Sequence, residues 1–210
     1  MRARIRLLTL AILAAFSQPS SRGETEGEAK PRIESPSPDG RFSFRYTPES
    51  EAKGKSYDLI SRNSGKALAR VAEADVDLGP SERFAMAVLW RHDSKAFALT
   101  ATLWKRGSYV SVYLRDGSTF REIELPELLA DIPEKVKKGK EFPHIAELNS
   151  QSAKRWQKDG SLAVEIENIQ DGNGSSITAT RNVVLSFGPS GRARIVKSTI
   201  KFATETGCSR

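Results

Sequence analysis

The sequence has few of the residues that most metal and redox sites need. Its 210 residues include one cysteine, two histidines and two methionines. Cys208 has no second cysteine to pair with, so an intrachain disulfide is excluded. His144 has no second histidine or cysteine at the spacing of a zinc site. We therefore expect no metal ligands, no cofactor and no disulfide in this protein.

Nucleotide-binding motifs and long apolar runs are also missing. No Gly-x-Gly-x-x-Gly or Gly-x-x-x-x-Gly-Lys-Ser/Thr string occurs, which argues against a phosphate cradle. The apolar run Leu7–Phe16 is ten residues long, whereas a helix needs about 20 apolar residues to cross a bilayer. We therefore expect no transmembrane segment in the mature chain.

What the N-terminus does have is the three-part layout of a secretory leader. Arg2, Arg4 and Arg6 precede the apolar run, and small and polar residues follow it. Ala15 and Ser17 satisfy the small-x-small requirement of a signal peptidase, so we place cleavage after Ser17. The sequence predicts a secreted or periplasmic protein.

Composition then divides the chain into a signal peptide (1–17), a flexible linker (18–32) and a single β-rich domain (33–210). The linker is rich in Glu, Ser, Pro and Gly, which favours a solvated tether. The 33 basic and 26 acidic residues give a net charge of +7, and without the three leader arginines this becomes 30 minus 26, or +4. Because the two signs are interspersed along the chain, we expect no nucleic-acid binding.

Alternation of apolar and polar residues with a period of two dominates the domain. It is clearest in three segments: Phe42–Tyr46, Val110–Leu114 and Leu162–Ile166. Successive side chains of a strand lie on opposite faces, so this pattern predicts half-buried strands. Only Pro126–Lys138 has helical character, broken at Pro133 and stopped by Gly139, which predicts two short helical pieces.

An internal repeat organises the predicted strands. The segments Pro36–Phe44, Trp90–Leu99 and Trp156–Val164 align, and each contains an Asp-Gly or Asp-Ser turn before a strand. The turn pairs are Asp39 with Gly40, Asp93 with Ser94, and Asp159 with Gly160. Aspartate can accept a hydrogen bond from the backbone two residues on, and glycine tolerates positive φ, so these pairs reverse the chain.

Each turn is followed by a second hairpin that reverses near Gly65, Gly117 or Gly191. The third repeat is longer, which we attribute to a polar loop from Gln170 to Ser176. We expect Trp90 and Trp156 to pack between the hairpins, because a buried indole contributes a large apolar area.

The segments Ser37–Arg41 and Trp90–Lys95 resemble the Trp-Ser-Pro-Asp-Gly-Lys turn that opens the blades of TolB-like and WD40-like β-propellers. That resemblance implies four-stranded blades and a scaffold for protein contacts more often than a catalyst. Closed propellers have about 4–8 blades, more than the three repeats found here. The expected fold is therefore all-β, with antiparallel hairpin repeats in a partial β-propeller-like or β-sandwich arrangement and a short helical insertion near 126–138.

No group of residues predicts catalysis. His92, Asp93 and Ser94 are adjacent on one turn and cannot converge as the members of a triad do, so we interpret them as a solvated turn. Glu165 and Glu167 share one strand face, whereas glycosidase carboxylates stand across a cleft.

Two further polar segments have structural explanations. The run Asp171–Ser175 resembles the start of a calcium loop but lacks the closing acid, so we predict a long hairpin loop. Asn173 within it is a glycosylation acceptor if the host is eukaryotic. The lysines between Lys135 and Lys140 predict a solvated helix end.

The predicted function is binding, by an exported, non-catalytic β-repeat protein with a protein or other extracytoplasmic partner. The candidate contact is an aromatic and basic group at a predicted hairpin tip: Trp104, Lys105, Arg106 and Tyr109. An extracytoplasmic hydrolase with a loop-built site and a structural subunit of a larger β assembly are the alternatives, and self-association stays open.

The last strand offers a further hypothesis. Arg194–Ala203 alternates over a long stretch at the end of the domain. We expect it either to pair with Phe42–Tyr46 and close the fold, or to form a docking edge for a partner strand.

Overall fold

The computed structural model describes residues 31–48, 56–73, 85–103, 107–172, 174–188 and 191–207. These residues contain twelve strands and one short helix. The strands are β1 (Arg32–Glu34), β2 (Phe42–Thr47), β3 (Ser56–Ser61), β4 (Ala67–Glu73), β5 (Ala85–Trp90), β6 (Ala96–Leu103), β7 (Gly107–Asp116), β8 (Thr119–Glu122), β9 (His144–Trp156), β10 (Leu162–Gly172), β11 (Ser175–Phe187) and β12 (Ala193–Thr206), and the helix is α1 (Glu134–Lys137).

Four consecutive strands build each of three antiparallel sheets. The first sheet is β1-β2-β3-β4, the second is β5-β6-β7-β8, and the third is β9-β10-β11-β12. All pairings within them are antiparallel. The prediction of an all-β fold made of antiparallel hairpin repeats is confirmed, with one sheet for each repeat.

The sheets stack in chain order, with the second sheet in the middle. One core cluster, which includes Phe44 and Leu59, fills the space between the first and second sheets. The other, which includes Val164 and Ile166, lies between the second and third. Strand β6 is buried on both faces, because Phe97 belongs to the first cluster and Ala98 to the second. Neither cluster joins the first sheet to the third, so the stack is not closed.

The first of the two predicted helical pieces is wrong. Between Pro126 and Pro133 the chain has no regular helix, and Leu128, Ala130 and Ile132 are buried in alternation in the second core cluster. Extended backbone places these three side chains on one side, and a helix would not. Side chains satisfy the backbone instead: Ala130 N–H donates to Asn149 Oδ1 at 2.7 Å.

The second predicted piece is confirmed as helix α1, which follows Pro133 directly. It ends at Lys137, and Lys138 after it adopts the left-handed conformation with φ of 52°. Gly139 follows at φ of 77°, as expected for a residue that stops a helix.

The predicted polar loop from Gln170 to Ser176 is wrong as well. Strand β10 continues to Gly172, strand β11 starts at Ser175, and Gln170 pairs with Ile177. The third repeat is longer because its strands are longer: β10 and β11 have 11 and 13 residues. The calcium-like run Asp171–Ser175 is thus the end of a strand pair, and Asn173 lies outside the described residues.

Candidate functional site

The three predicted turns share one hydrogen-bond pattern and connect the first two strands of each sheet. In each turn, the N–H two residues after the aspartate donates to the aspartate Oδ1. These donors are Arg41 at 3.1 Å from Asp39, Lys95 at 3.0 Å from Asp93, and Ser161 at 3.0 Å from Asp159. The residue after each aspartate has positive φ: 72° at Gly40, 58° at Ser94 and 83° at Gly160. The turn prediction is confirmed in all three repeats.

These hydrogen bonds keep the turn aspartates ionised. Partial burial raises the pKa of Asp39, but hydrogen bonds from the Ser37 hydroxyl and from Arg41 outweigh it and lower the pKa to about 2. Partial burial also raises the pKa of Asp93, but hydrogen bonds from Arg91 and from the Lys95 N–H outweigh this effect and lower the pKa. Hydrogen bonds from the Ser161 hydroxyl and N–H lower the pKa of Asp159.

Ser94 occupies the position that glycine holds in the other two turns, and the reason lies in the neighbouring sheet. Its side chain is fully buried, and its Oγ accepts a hydrogen bond from Asp39 N–H at 3.0 Å. The interpretation of His92, Asp93 and Ser94 as a solvated turn is therefore wrong for Ser94. The hydroxyl links the first turn to the second, which a glycine could not do.

The two repeat tryptophans connect successive sheets, as predicted. Trp90 ends β5 and packs in the aromatic cluster of the first and second sheets. Trp156 ends β9, packs against the second core cluster and lies 5.7 Å below the Arg91 guanidinium. Each indole therefore belongs to one sheet and packs against the preceding one.

The last strand of the first sheet and the segment after β8 form hydrogen bonds with the sheet that follows. The carbonyl of Leu68 in β4 accepts a hydrogen bond from the Thr119 hydroxyl at 3.2 Å, and that of Val71 accepts one from the Tyr113 hydroxyl at 3.4 Å. Just after β8, the carbonyl of Glu124 accepts one from Ala193 N–H at 3.1 Å. The last strand of the first sheet and the segment after β8 are thus occupied by groups of the sheet that follows.

Among the described residues, no sheet follows the last strand of the third sheet. Strand β12 pairs with β11 over its length, and no described strand pairs with its other edge. Strand β2 lies between β1 and β3, so the hypothesis that Arg194–Ala203 pairs with Phe42–Tyr46 is wrong. About half of the backbone N–H and C=O groups of an edge strand point away from its partner and can pair with an added strand.

The two faces of this edge differ in character. Ile200 and Phe202 lie on the side that faces the second sheet, but 42% and 37% of their surfaces are exposed. Lys197 and Lys201 are exposed on the opposite side. We call Arg194–Thr206, with its apolar and basic sides, the β12 edge.

The fold also gathers charge at the end of the stack that carries the turns described above, which we call the turn end. Along the sequence, basic and acidic residues are interspersed. In the described connections β1–β2, β3–β4, β5–β6, β9–β10 and β11–β12, seven residues are basic and three are acidic. The basic ones are Arg41, Arg62, Lys66, Arg91, Lys95, Lys158 and Arg192, and the acidic ones are the three turn aspartates.

Of the predicted aromatic and basic contact, only Tyr109 lies among the described residues. Trp104, Lys105 and Arg106 lie outside the described residues. Tyr109 is exposed in β7, and both partial burial and the charge of Glu122 raise its pKa.

Two other observations bear on chemistry. Glu165 forms a 2.7 Å ion pair with Lys154 on the outward side of the third sheet. The described residues contain no group of three or more His, Cys, Asp or Glu side chains that could hold a metal. None of their helices is long and apolar enough to cross a membrane.

No protein-family model matches this chain, and no curated protein matches its sequence significantly.

Proposed function

We propose that this protein is an exported binding module whose β12 edge takes up an extended segment of a partner protein by strand addition. The observation that supports this most strongly is that no described strand pairs with the outer side of β12, a 14-residue strand. The corresponding part of each preceding sheet contacts the sheet that follows it. An added strand would provide hydrogen bonds to the β12 backbone, as the second and third sheets do for backbone carbonyls of the sheets that precede them.

The side chains of the β12 edge indicate the chemistry of that partner. An added strand extends both faces of the sheet, with its own side chains alternating between them. On one face it meets the exposed Ile200 and Phe202, and on the other it meets Lys197 and Lys201. A segment that alternates apolar and acidic residues satisfies both faces, because opposite charges on neighbouring strands stabilise a sheet.

The outer face of the third sheet argues against the alternative of a structural subunit awaiting another sheet on that side. This face carries the ion pair of Lys154 and Glu165 and the exposed Lys197 and Lys201. Terminal units of stacked repeats have polar outer faces, whereas an internal face would be apolar. A partner at the edge of β12 fits this face better than a sheet stacked on it.

A synthetic peptide of alternating valine and glutamate tests the proposal. We expect it to bind the purified protein and to slow hydrogen exchange at β12 amides that exchange rapidly in the free protein. Valine–lysine peptide of the same length is the matched control, and its binding with equal affinity would contradict the proposal.

Variants of the edge locate the binding. The double substitution Lys197→Glu and Lys201→Glu should abolish valine–glutamate peptide binding, since like charges on neighbouring strands are destabilising. Lys158→Glu, in the β9–β10 turn, is the control and should bind normally. If the double variant binds as the unaltered protein does, the peptide does not use the β12 edge.

We also propose export, supported by the leader-like arrangement of residues 1–17, which lie outside the described residues. Protein recovered from the extracytoplasmic fraction should begin between Gln18 and Gly23 when its N-terminus is sequenced. An intact Met1 form confined to the cytoplasm would contradict this.

The resemblance to TolB-like and WD40-like blades enters as a further proposal, namely that the three sheets are blades of an open propeller. Its support is the succession of four-stranded sheets, each opened by an equivalent aspartate turn. Binding at an edge suits a propeller that is not closed, because a closed ring protects its edges.

A further inference from the structure

A cleft of about 650 Å³ opens at the turn end, between the second and third sheets. Its volume falls in the range of about 300–1,000 Å³ typical of small-molecule sites. The second sheet contributes Arg91, Lys95 and Arg115, and the third contributes Asp159, Ser161 and Ser186. The cleft reaches the β12 edge at Val196, but Lys197 and Lys201, on which the proposed strand binding depends, do not line it.

The cations on the cleft wall differ in whether a carboxylate already pairs with them. Arg91 is held by Asp93, which accepts from its Nε at 2.8 Å and from its Nη2 at 3.0 Å. Arg115 donates from Nε to the Gly117 carbonyl at 3.0 Å, and its guanidinium carbon lies 5.4 Å from the centre of the Phe42 ring. These two contacts orient the guanidinium, and no described carboxylate pairs with its charge. Lys95 likewise forms no ion pair with a described residue, and it is exposed. Lys95 and Arg115 therefore have charged donors available for an anion.

The opposite wall offers acceptors and small hydroxyls. Asp159 Oδ1 accepts hydrogen bonds from the Ser161 N–H and hydroxyl at 3.0 and 2.7 Å, and no described cation forms a salt bridge with Asp159. Such a carboxylate can accept hydrogen bonds from hydroxyl groups of a ligand. Gly160, next to it, has no side chain to fill the cleft.

The remaining lining is apolar. Leu114, Phe187 and Val196 lie on the wall of the cleft, so a ligand there meets hydrocarbon and one aromatic ring as well as charge. A ligand that uses all three parts of the lining carries an anionic group, several hydroxyls and a compact body with a C–H face.

We propose that this cleft binds a phosphorylated sugar. The phosphate accepts charge-assisted hydrogen bonds from Lys95 and Arg115, as anions commonly do from these side chains. The sugar hydroxyls donate to Asp159, and the ring packs beside Phe187. Two charges of opposite sign on facing walls orient the ligand in one direction.

Calorimetric titration of the purified protein with glucose 6-phosphate, inorganic phosphate and glucose tests this proposal. Glucose 6-phosphate should bind more tightly than inorganic phosphate, and glucose should bind least. Lys95→Gln and Arg115→Gln should each weaken glucose 6-phosphate binding by about tenfold or more, the effect of losing one charge-assisted hydrogen bond. Lys158→Gln is the matched control and should bind normally, because Lys158 lies in the β9–β10 turn but does not line the cleft.

Asp159→Asn separates the two halves of the site. It removes a negative charge from the cleft, so it should tighten the binding of inorganic phosphate. Because it also removes the acceptor for the sugar hydroxyls, the ratio of the glucose 6-phosphate affinity to the inorganic phosphate affinity should fall. Three results would overturn the proposal: no binding of glucose 6-phosphate, equal affinity for glucose 6-phosphate and glucose, or equal weakening by Lys158→Gln and Lys95→Gln. None of them bears on peptide binding at the β12 edge, so the two proposals fail separately.

Discussion

The indole N–H of Trp156 donates a hydrogen bond to the backbone carbonyl of Leu89 at 2.8 Å. The indole of Trp90 makes the equivalent bond to the carbonyl of Ser35 at 2.9 Å. Trp156 ends the first strand of the third sheet, and Trp90 ends that of the second. The two acceptors are equivalent, since Ser35 and Leu89 stand at the same distance before the turn aspartates Asp39 and Asp93. The same bond therefore joins the first sheet to the second and the second to the third.

Replacing either indole should weaken the stack. Trp156→Phe and Trp90→Phe keep an aromatic ring but leave a carbonyl without its donor, which costs about 1–3 kcal/mol when the group is buried. Urea unfolding monitored by circular dichroism measures the loss. Tyr109→Phe, at an exposed position, should change the free energy of unfolding by no more than about 0.5 kcal/mol. If the free energy of unfolding falls equally in all three variants, the indole hydrogen bonds have no special role in stability.

The turn glycines should resist β-branched side chains. Gly40→Val and Gly160→Val place valine at φ of 72° and 83°, and each should cost about 1 kcal/mol or more, because such side chains rarely adopt left-handed backbone. Thermal melting reports the change. Lys158→Val, which puts the same side chain in an exposed position of the third turn, is the control. Unchanged melting temperatures of both glycine variants would contradict the equivalence of the turns.

Two substitutions of Ser94 should lower the stability of the protein to different extents. Ser94→Ala removes the hydroxyl that accepts from Asp39 and retains the cost of positive φ. Ser94→Gly also removes the hydroxyl but relieves the backbone, which is worth about 0.5–1 kcal/mol at a left-handed position. We therefore expect the alanine variant to be the less stable of the two in urea. The reverse order would mean that backbone strain at Ser94 is negligible.

Acid should weaken the first turn. The pKa of Asp39 is about 2 in the folded protein against an ordinary value of 3.8. Its stabilising contribution is thus complete above its unfolded-state pKa and is lost as pH falls from about 4 towards 2. The free energy of unfolding should fall over this window, and less steeply in Asp39→Asn. Urea unfolding at several pH values compares the slopes, and identical slopes would contradict the assignment.

The lysines of the β12 edge should also limit self-association. Charged side chains on an edge strand oppose pairing between copies of the same sheet. The double substitution Lys197→Val and Lys201→Val leaves an apolar, unpaired edge and should raise the average mass found by light scattering as concentration increases. Lys158→Val should remain at the mass of the unaltered protein. No increase in the double variant would show that these lysines do not protect the edge.

The sequence predicts the repeat well because its signals are local. An aspartate followed by glycine or serine fixes a turn with its own side chain, and alternation fixes the strand that follows. The helix over 126–132 was a wrong prediction because a period of two in Leu128, Ala130 and Ile132 was masked by a proline and a run of helix-forming residues. Burial between two sheets decides that conformation, and this burial is not visible in the local sequence.

The candidate sites were less accessible from sequence. Lys95 and Arg115 are far apart from Asp159 along the chain, and only the stacking of the second and third sheets brings them to one cleft. The β12 edge was foreseen as a long alternating strand, but its exposure depends on the absence of a following sheet. In the first two turns a basic residue stands two positions after the aspartate, and that periodic signal could have indicated the charge at the turn end.

The direction of the indole bonds bears on how the molecule can be assembled while its chain is being synthesised. In both bonds the acceptor precedes the donor along the chain, by 55 residues for Trp90 and by 67 for Trp156. Because synthesis proceeds from the N-terminus, each carbonyl is present before the indole that binds it. Every described sheet consists of consecutive strands, so each can form in turn and then receive the next, and β12 is the last of the described strands to be made.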